Sequence, residues 1–142
     1  MSNAPTGRSK DDIKVREKLI KDYYAQWISE HPDKKVWNHS LCAFIHVKFL
    51  SINETYEKAA RSYESTLAVF QLTKILKNAI AIKHIPTNHK TNNQKQFEKL
   101  IVMKYDKVKL TVGLQHSTQE YVQYCITVPQ KTDYNNKATT KK

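Results

Sequence analysis

Glycine is nearly absent from this chain: 142 residues contain only Gly7 and Gly113. The P-loop and the dinucleotide fingerprint both need clustered glycines to bring backbone N–H groups up to phosphate, so both are excluded. Cysteine is as scarce. Cys42 and Cys125 sit inside apolar runs, with no Cys-x-x-Cys and no His/Cys spacing suited to zinc. This predicts two reduced, buried thiols in a cytosolic protein, with one disulfide between core strands as the lesser alternative. No stretch approaches the roughly 18 apolar residues of a membrane span, so no membrane partner is expected. Met1–Lys10 lacks the apolar segment of a secretory signal, which leaves delivery as an effector by another route open. Carboxylates are few, no acidic pair suggests a two-metal site, and neither metal nor cofactor is implied.

What the chain has is positive charge. Lys and Arg number 24 against 13 Asp and Glu, a formal net charge of +11. From Pro129 onward four lysines face one aspartate, so the preceding 128 residues still carry +8. The charge therefore belongs mostly to the folded body. Such a potential points to nucleic acid or another polyanion as partner, the alternative being a generic basic surface. Lys83 to Lys109 alone holds seven lysines, Lys90 among them, against Glu98 and Asp106.

The periodicity is helical from about Lys10, where Ile13, Leu19, Ile20, Tyr23, Trp27 and Ile28 recur on one side. Asp11 and Asp12 suit its first turn, and His31-Pro32-Asp33 stops it. Tyr23, Tyr24 and Trp27 are expected in the core, with a partner-docking helix as the alternative. Leu41–Leu50 reads as a buried strand. Ser51-Ile-Asn-Glu54 has the form of a capping box and predicts a short helix from Ile52. Ser62 is the expected N-cap of a second helix whose inner side holds Leu67, Phe70, Ile75, Leu76 and Ala79. Ala79–Ile85 reads as a strand ended by Pro86, Thr87–Gln96 as a polar loop, and Leu100–Tyr105 as a strand. Val108, Leu110, Val112 and Leu114 alternate with polar residues, and Val122, Tyr124, Ile126 and Val128 repeat the pattern, which predicts a hairpin. Matching its apolar faces sets Leu114 opposite Val122 and Thr111 opposite Cys125. Helices first and strands last argue an α+β fold: N-terminal helices followed by a small antiparallel sheet of about four strands. Residues 1–9 are expected as a flexible leader, 10–130 as one domain whose part 10–40 is a helical extension, and 131–142 as a disordered basic tail.

Three constellations could carry chemistry. Lys58, Arg61, Ser62 and Ser65 could hold a phosphate at a helix turn, or form only an exposed turn with an ordinary cap. Lys107, Lys109 and Thr111 beside Tyr121, Gln123 and Thr127 form the polar side of the hairpin, which could bind RNA or merely be solvated. His46, His84, His89 and His116 are scattered. His46 reads as structural, whereas His89 and His116 lie in loops where a general base could sit.

Ser51-Ile-Asn-Glu-Thr55 running into Ala59-Ala-Arg-Ser-Tyr-Glu-Ser-Thr-Leu67, Ile75-Leu-Lys-Asn-Ala79, Val108-Lys-Leu-Thr-Val-Gly113 and Val122-Gln-Tyr-Cys-Ile-Thr127 together carry a resemblance. The stretch from Val47 to Val128 resembles small nuclease-like domains of phages and mobile elements, grouped with the barnase, EndoU, colicin and RelE-type ribonucleases. The resemblance implies a nuclease-like core over 41–130, with helices on a four-stranded antiparallel sheet. It also implies metal-independent RNA cleavage by attack of the ribose 2′-hydroxyl, and an immunity-type protein inhibitor as a possible partner. Arg61 and Ser62 match its first motif, but Lys58 stands where a histidine is expected. Lysine binds phosphate yet is a poor base unless burial lowers its pKa. Thr111, Tyr124 and Thr127 match the sheet segments, although alternation puts Tyr124 on the apolar side. The expected catalytic set is thus Lys58, Arg61, Ser62, Thr111 and Thr127, with His116, or else His89, able to replace the missing base. Lys90, Lys107, Lys109, Tyr121 and Gln123 are the expected nucleic-acid contacts. The alternative is an inactive nucleic-acid-binding or protein-interaction module of the same fold.

Overall fold

The computed structural model describes residues 4–87 and 94–129. Lys90, His89 and the basic tail lie outside the described residues. The first helix, α1, spans Lys10–Glu30. Ser9 caps it by accepting the Asp12 N–H at 3.0 Å, and the chain turns away at His31 ahead of Pro32. Its inner stripe comprises Arg16, Ile20, Tyr24 and Trp27, all buried. Tyr24 and Trp27, at 0% and 2% exposure, lie in the core, with Tyr23 partly buried against it. Residues 4–9, expected as a flexible leader, lie against α1: Arg16 Nη1 donates to the carbonyls of Pro5 and Gly7, each at 2.7 Å.

Two short strands follow, β1 (Lys35–Asn38) and β2 (Ala43–His46). The segment expected as helical extension therefore ends in a strand. Asn38, a poor strand former, is fully buried there because all its polar atoms are used. Its amide donates to the carbonyls of Leu76 and Ala79 at 2.8 and 2.9 Å and accepts the Leu41 N–H at 2.8 Å. The expected ten-residue strand over Leu41–Leu50 is cut at both ends. Cys42 takes a left-handed φ of 50° in the turn and is exposed, not buried. Phe49, 78% exposed, already opens the next helix, α2 (Phe49–Ala59). Ser51 sits in the first turn of α2, not ahead of it. Its Oγ accepts the Lys48 N–H at 2.9 Å, which starts the helix three residues before the expected Ile52.

Helices α3 (Tyr63–Val69) and α4 (Leu72–Asn78) come next, then strands β3 (Ile80–Ile85), β4 (Phe97–Tyr105), β5 (Val108–Gln115) and β6 (Tyr121–Thr127). Ser62 caps α3 as expected, accepting the Ser65 N–H at 3.1 Å. The fold is α+β, but among the described residues its sheet has six strands in the order β1-β2-β6-β5-β4-β3, not about four. Nor is the sheet wholly antiparallel: β2 runs parallel to β6 through Ile45–Tyr121 and His46–Val122.

One register shift decides where the side chains of the hairpin go. Thr111 opposes Cys125 as expected, but Val112 opposes Gln123, so Tyr124 is an extra residue and Leu114 faces Tyr121 instead of Val122. Past this bulge β6 changes faces. Ile126 packs with Ile101, Met103, Leu110, Val112 and the four helices in the main core. Val122, Tyr124 and Cys125 join Phe97 and Leu100 in a smaller cluster on the other face.

The β5–β6 turn is pinned to the start of α2. Lys48 Nζ donates to Glu120 Oε1 and Gln115 Oε1, each at 2.7 Å, and His46 Nε2 lies 3.5 Å from Glu120 Oε2. Burial holds His46 below its ordinary value of 6.5; Glu120 opposes this, while Lys48 and Lys35 reinforce it. Glu120 is held below 4.5, chiefly by the Lys48 hydrogen bond. Both native values are depressed, so both contributions are complete above the unfolded values and are lost as pH falls through the native ones. The melting temperature is expected to drop between about pH 7 and about pH 5, and His46→Gln to flatten that part of the curve. An unchanged slope in the variant would assign the loss to another group.

Candidate functional site

Where β2 ends, α2 takes its place beside β6. Ser51, Thr55 and Ala59 point into the main core. Leu50, Glu54 and Lys58, four residues apart, form a stripe that reaches the far face of the sheet. Leu50 packs on the Phe97 cluster, and Lys58 Nζ lies 5.2 Å from the centre of the Tyr124 ring. The same Nζ donates to Glu54 Oε1 at 2.9 Å. The side chain of Glu54 is only 11% exposed, against 43% for Lys58, so the carboxylate anchors the ammonium from below. Tyr124 meets Phe97 edge to face at 5.8 Å, and its hydroxyl accepts from Gln94 Nε2 at 3.5 Å. Next along the sheet come Cys125 with its partner Thr111, then Thr127 opposite Lys109.

The electrostatics fix protonation states here. Burial alone would lower Lys58, but the Glu54 hydrogen bond and the charge around it more than compensate, so its pKa is raised. Lys58 is an ammonium throughout the physiological range and is not a base. Burial, with Glu54 adding to it, raises the Tyr124 hydroxyl against the opposing Gln94 bond and Lys58. Burial likewise raises the Cys125 thiol, against Lys58 and Lys109. Cys125 is therefore a protonated, buried thiol.

The residues expected to act together are separated. Lys58, Thr111, Thr127 and Lys109 share the far face. Lys107 stands in the β4–β5 turn and lines, with Lys104 and Lys109, a cavity of about 200 Å³ at that end. Arg61 and Ser62 lie elsewhere, in a cavity of about 240 Å³ whose walls include Arg8 and Arg16. His116 is in the β5–β6 turn, at the opposite end of the hairpin from Lys109 and Thr127, so the structure does not bring it to Lys58. Tyr121 packs against the main core, and Gln123 is fully buried between Tyr24 and Thr55. Neither is on the polar side where alternation placed it, because the bulge reverses the strand. Glu54 was legible as the partner of Lys58 only through its i,i+4 spacing. Arg16 gave no signal, being a charge on an otherwise apolar stripe.

Among the described residues no three His, Cys, Asp or Glu come together to hold a metal, and no helix is long and apolar enough to cross a membrane. No curated protein and no solved structure matches the chain. A family does match, over residues 16–122, and this span takes in most of α1, the Glu54–Lys58 stripe and the sheet as far as the first two residues of β6. With three-quarters of its length matched, the chain belongs to the family described as large polyvalent protein-associated domain 3, a domain associated with phages and mobile elements.

Proposed function

We propose that the domain is a nucleic-acid-binding module that holds the RNA backbone on the far face of its sheet. The observation that carries this reading is the fixed ammonium of Lys58, oriented by Glu54 at 2.9 Å and flanked across the strands by Lys109 and the hydroxyls of Thr111 and Thr127. A pre-oriented cation loses little side-chain freedom when it meets a phosphate. Tyr124 is 5% exposed, so its ring is not free to stack on a base. Recognition then rests on phosphates, and binding is strongly salt-dependent and weakly selective for sequence. In this reading the nuclease-like resemblance describes phosphate holding and not cleavage, and an immunity-type inhibitor has no role.

Anisotropy titrations of labelled single-stranded RNA between about 50 and 200 mM salt test it. Log affinity is expected to fall linearly with log salt. Lys58→Ala and Lys109→Ala are each expected to reduce the slope by about 0.7, and Lys58→Arg to restore it. Salt-insensitive binding, or an unchanged slope in both alanine variants, overturns the reading.

The cleaving alternative also has one observation in its favour. Glu54 is a carboxylate 2.9 Å from the Lys58 ammonium, the residue type that can take a proton from a ribose hydroxyl beside a held phosphate. RNA incubated with the protein in EDTA decides: cyclic-phosphate products that vanish in Glu54→Gln would replace the binding module by a metal-independent ribonuclease.

A further inference from the structure

The cavity that contains Arg61 has a different chemistry from the sheet face. Three of its walls carry guanidinium groups: Arg8 from the leader, Arg16 from α1, and Arg61 between α2 and α3. Arg16 is 0% exposed. Its hydrogen-bond partners are three backbone carbonyls, those of Ala60, Pro5 and Gly7, each at 2.7 Å. Carbonyls satisfy N–H groups but carry no net charge, so they leave the buried cation uncompensated. Its Nη2 has no partner at all, the sole such buried side-chain nitrogen or oxygen among the described residues. A buried charge without a counter-ion is costly, and such an orphan donor requires a reason. Glu64 lines the same cavity, yet among the described residues no carboxylate comes within 4.0 Å of these guanidinium groups. Three positive side chains against Glu64 in the wall, with the Asp12 carboxylate packed behind Gly7, leave the cavity cationic.

We infer that this cavity binds a phosphate group, with Arg61 and Arg8 closing on it from the open side and the unpartnered Nη2 of Arg16 meeting it from within. Guanidinium groups fit a tetrahedral oxyanion through paired, charge-assisted N–H bonds. At about 240 Å³ the space is below the range of drug-sized pockets and suits a phosphate with little attached to it. The ligand supplies the missing counter-charge and joins the leader, α1 and the α2–α3 turn around one ion. Two sources share this chemistry: free inorganic phosphate and a phosphate monoester such as the end of a nucleotide. The inference is independent of RNA binding on the sheet face, since it shares none of those residues.

Calorimetric titration of the whole chain tests it with inorganic phosphate, a nucleoside 5′-monophosphate and the same nucleoside without phosphate. Saturable one-to-one binding of inorganic phosphate is expected, with a rise in melting temperature. Arg8→Gln and Arg61→Gln, both at exposed positions that leave the fold intact, are each expected to weaken it by about tenfold, the loss of one charge-assisted hydrogen bond. Lys18→Gln, which removes the same charge from the exposed side of α1, should leave it unchanged. Equal affinity for the ion and the monoester identifies the free ion as ligand, and tighter monoester binding identifies the ester; both support the site. Absence of saturable binding, binding as tight in the Arg8→Gln/Arg61→Gln double variant, or nucleoside binding as tight as the monophosphate overturns it.

Discussion

Gln123→Leu is expected to lower the stability of the domain by about 2–3 kcal/mol while leaving RNA affinity of the folded protein unchanged. The side chain is fully buried on the helix side of β6. Its Oε1 accepts the Tyr24 hydroxyl at 2.8 Å, and its Nε2 donates to Thr55 Oγ1 at 2.6 Å. Tyr24 and Thr55 are themselves at 0% exposure, so neither can turn to water when the amide is lost. Leucine fills much of the volume, so the loss measures the orphaned polar groups and not a cavity. Chemical denaturation gives the first quantity and RNA titration well below the melting point gives the second. A variant of native stability with weakened RNA binding would return Gln123 to the nucleic-acid contacts, where strand alternation alone places it.

Gly113→Ala is expected to cost about 1–3 kcal/mol through overpacking, and the larger Val more. A Cβ at this position would lie 2.6 Å from Cδ1 and 2.8 Å from Cε1 of Phe97. Phe97 is fully buried and packed edge to face on Tyr124, so the ring cannot step aside without disturbing its neighbour. Glycine is needed here for close approach and not for its backbone freedom, as its φ is not positive. The disturbance is expected to pass through Phe97 and Tyr124 to the ring beneath Lys58, so the salt slope of RNA binding should change along with the melting temperature. A stable Gly113→Ala variant with native binding would show that Phe97 has room to move.

What the sequence made legible followed from local rules. Ser62 caps a helix because a hydroxyl three residues ahead of a free N–H does so in any context. The strands β5 and β6 announced themselves by alternation, and the first helix by its stripe of large apolar residues. The rest depended on distant parts of the chain. Asn38 is in a strand because the end of α4, some forty residues on, offers two carbonyls to its amide. The bulge at Tyr124 leaves no mark in the alternation, yet it sends Gln123 into the core and Tyr124 to the far face. Lys58 and Arg61 share a helix face in an unbroken helix. Here α2 ends at Ala59, and the two side chains part company, one toward Glu54 and the other toward Arg16.

The place of β6 has a consequence for how the chain acquires its shape. It is the last of the described strands in chain order, yet it lies inside the sheet, between β2 and β5. It also receives Tyr24 of α1 and Thr55 of α2 through Gln123, and α3 through the Val128 N–H that Ser65 accepts at 2.8 Å. The β1–β2 pair and the β3–β4–β5 meander can each form locally, and side-chain bonds such as those of Asn38 and Ser40 reach between them, but no strand pairing joins them until Tyr121–Thr127 arrives. Contacts between residues so far apart in sequence form slowly. Until that strand is made the helices can cover one face of each half, but the sheet edges that β6 pairs with stay open, and unpaired edges are where a nascent chain is prone to aggregate. The sheet becomes continuous only when β6 lies between β2 and β5.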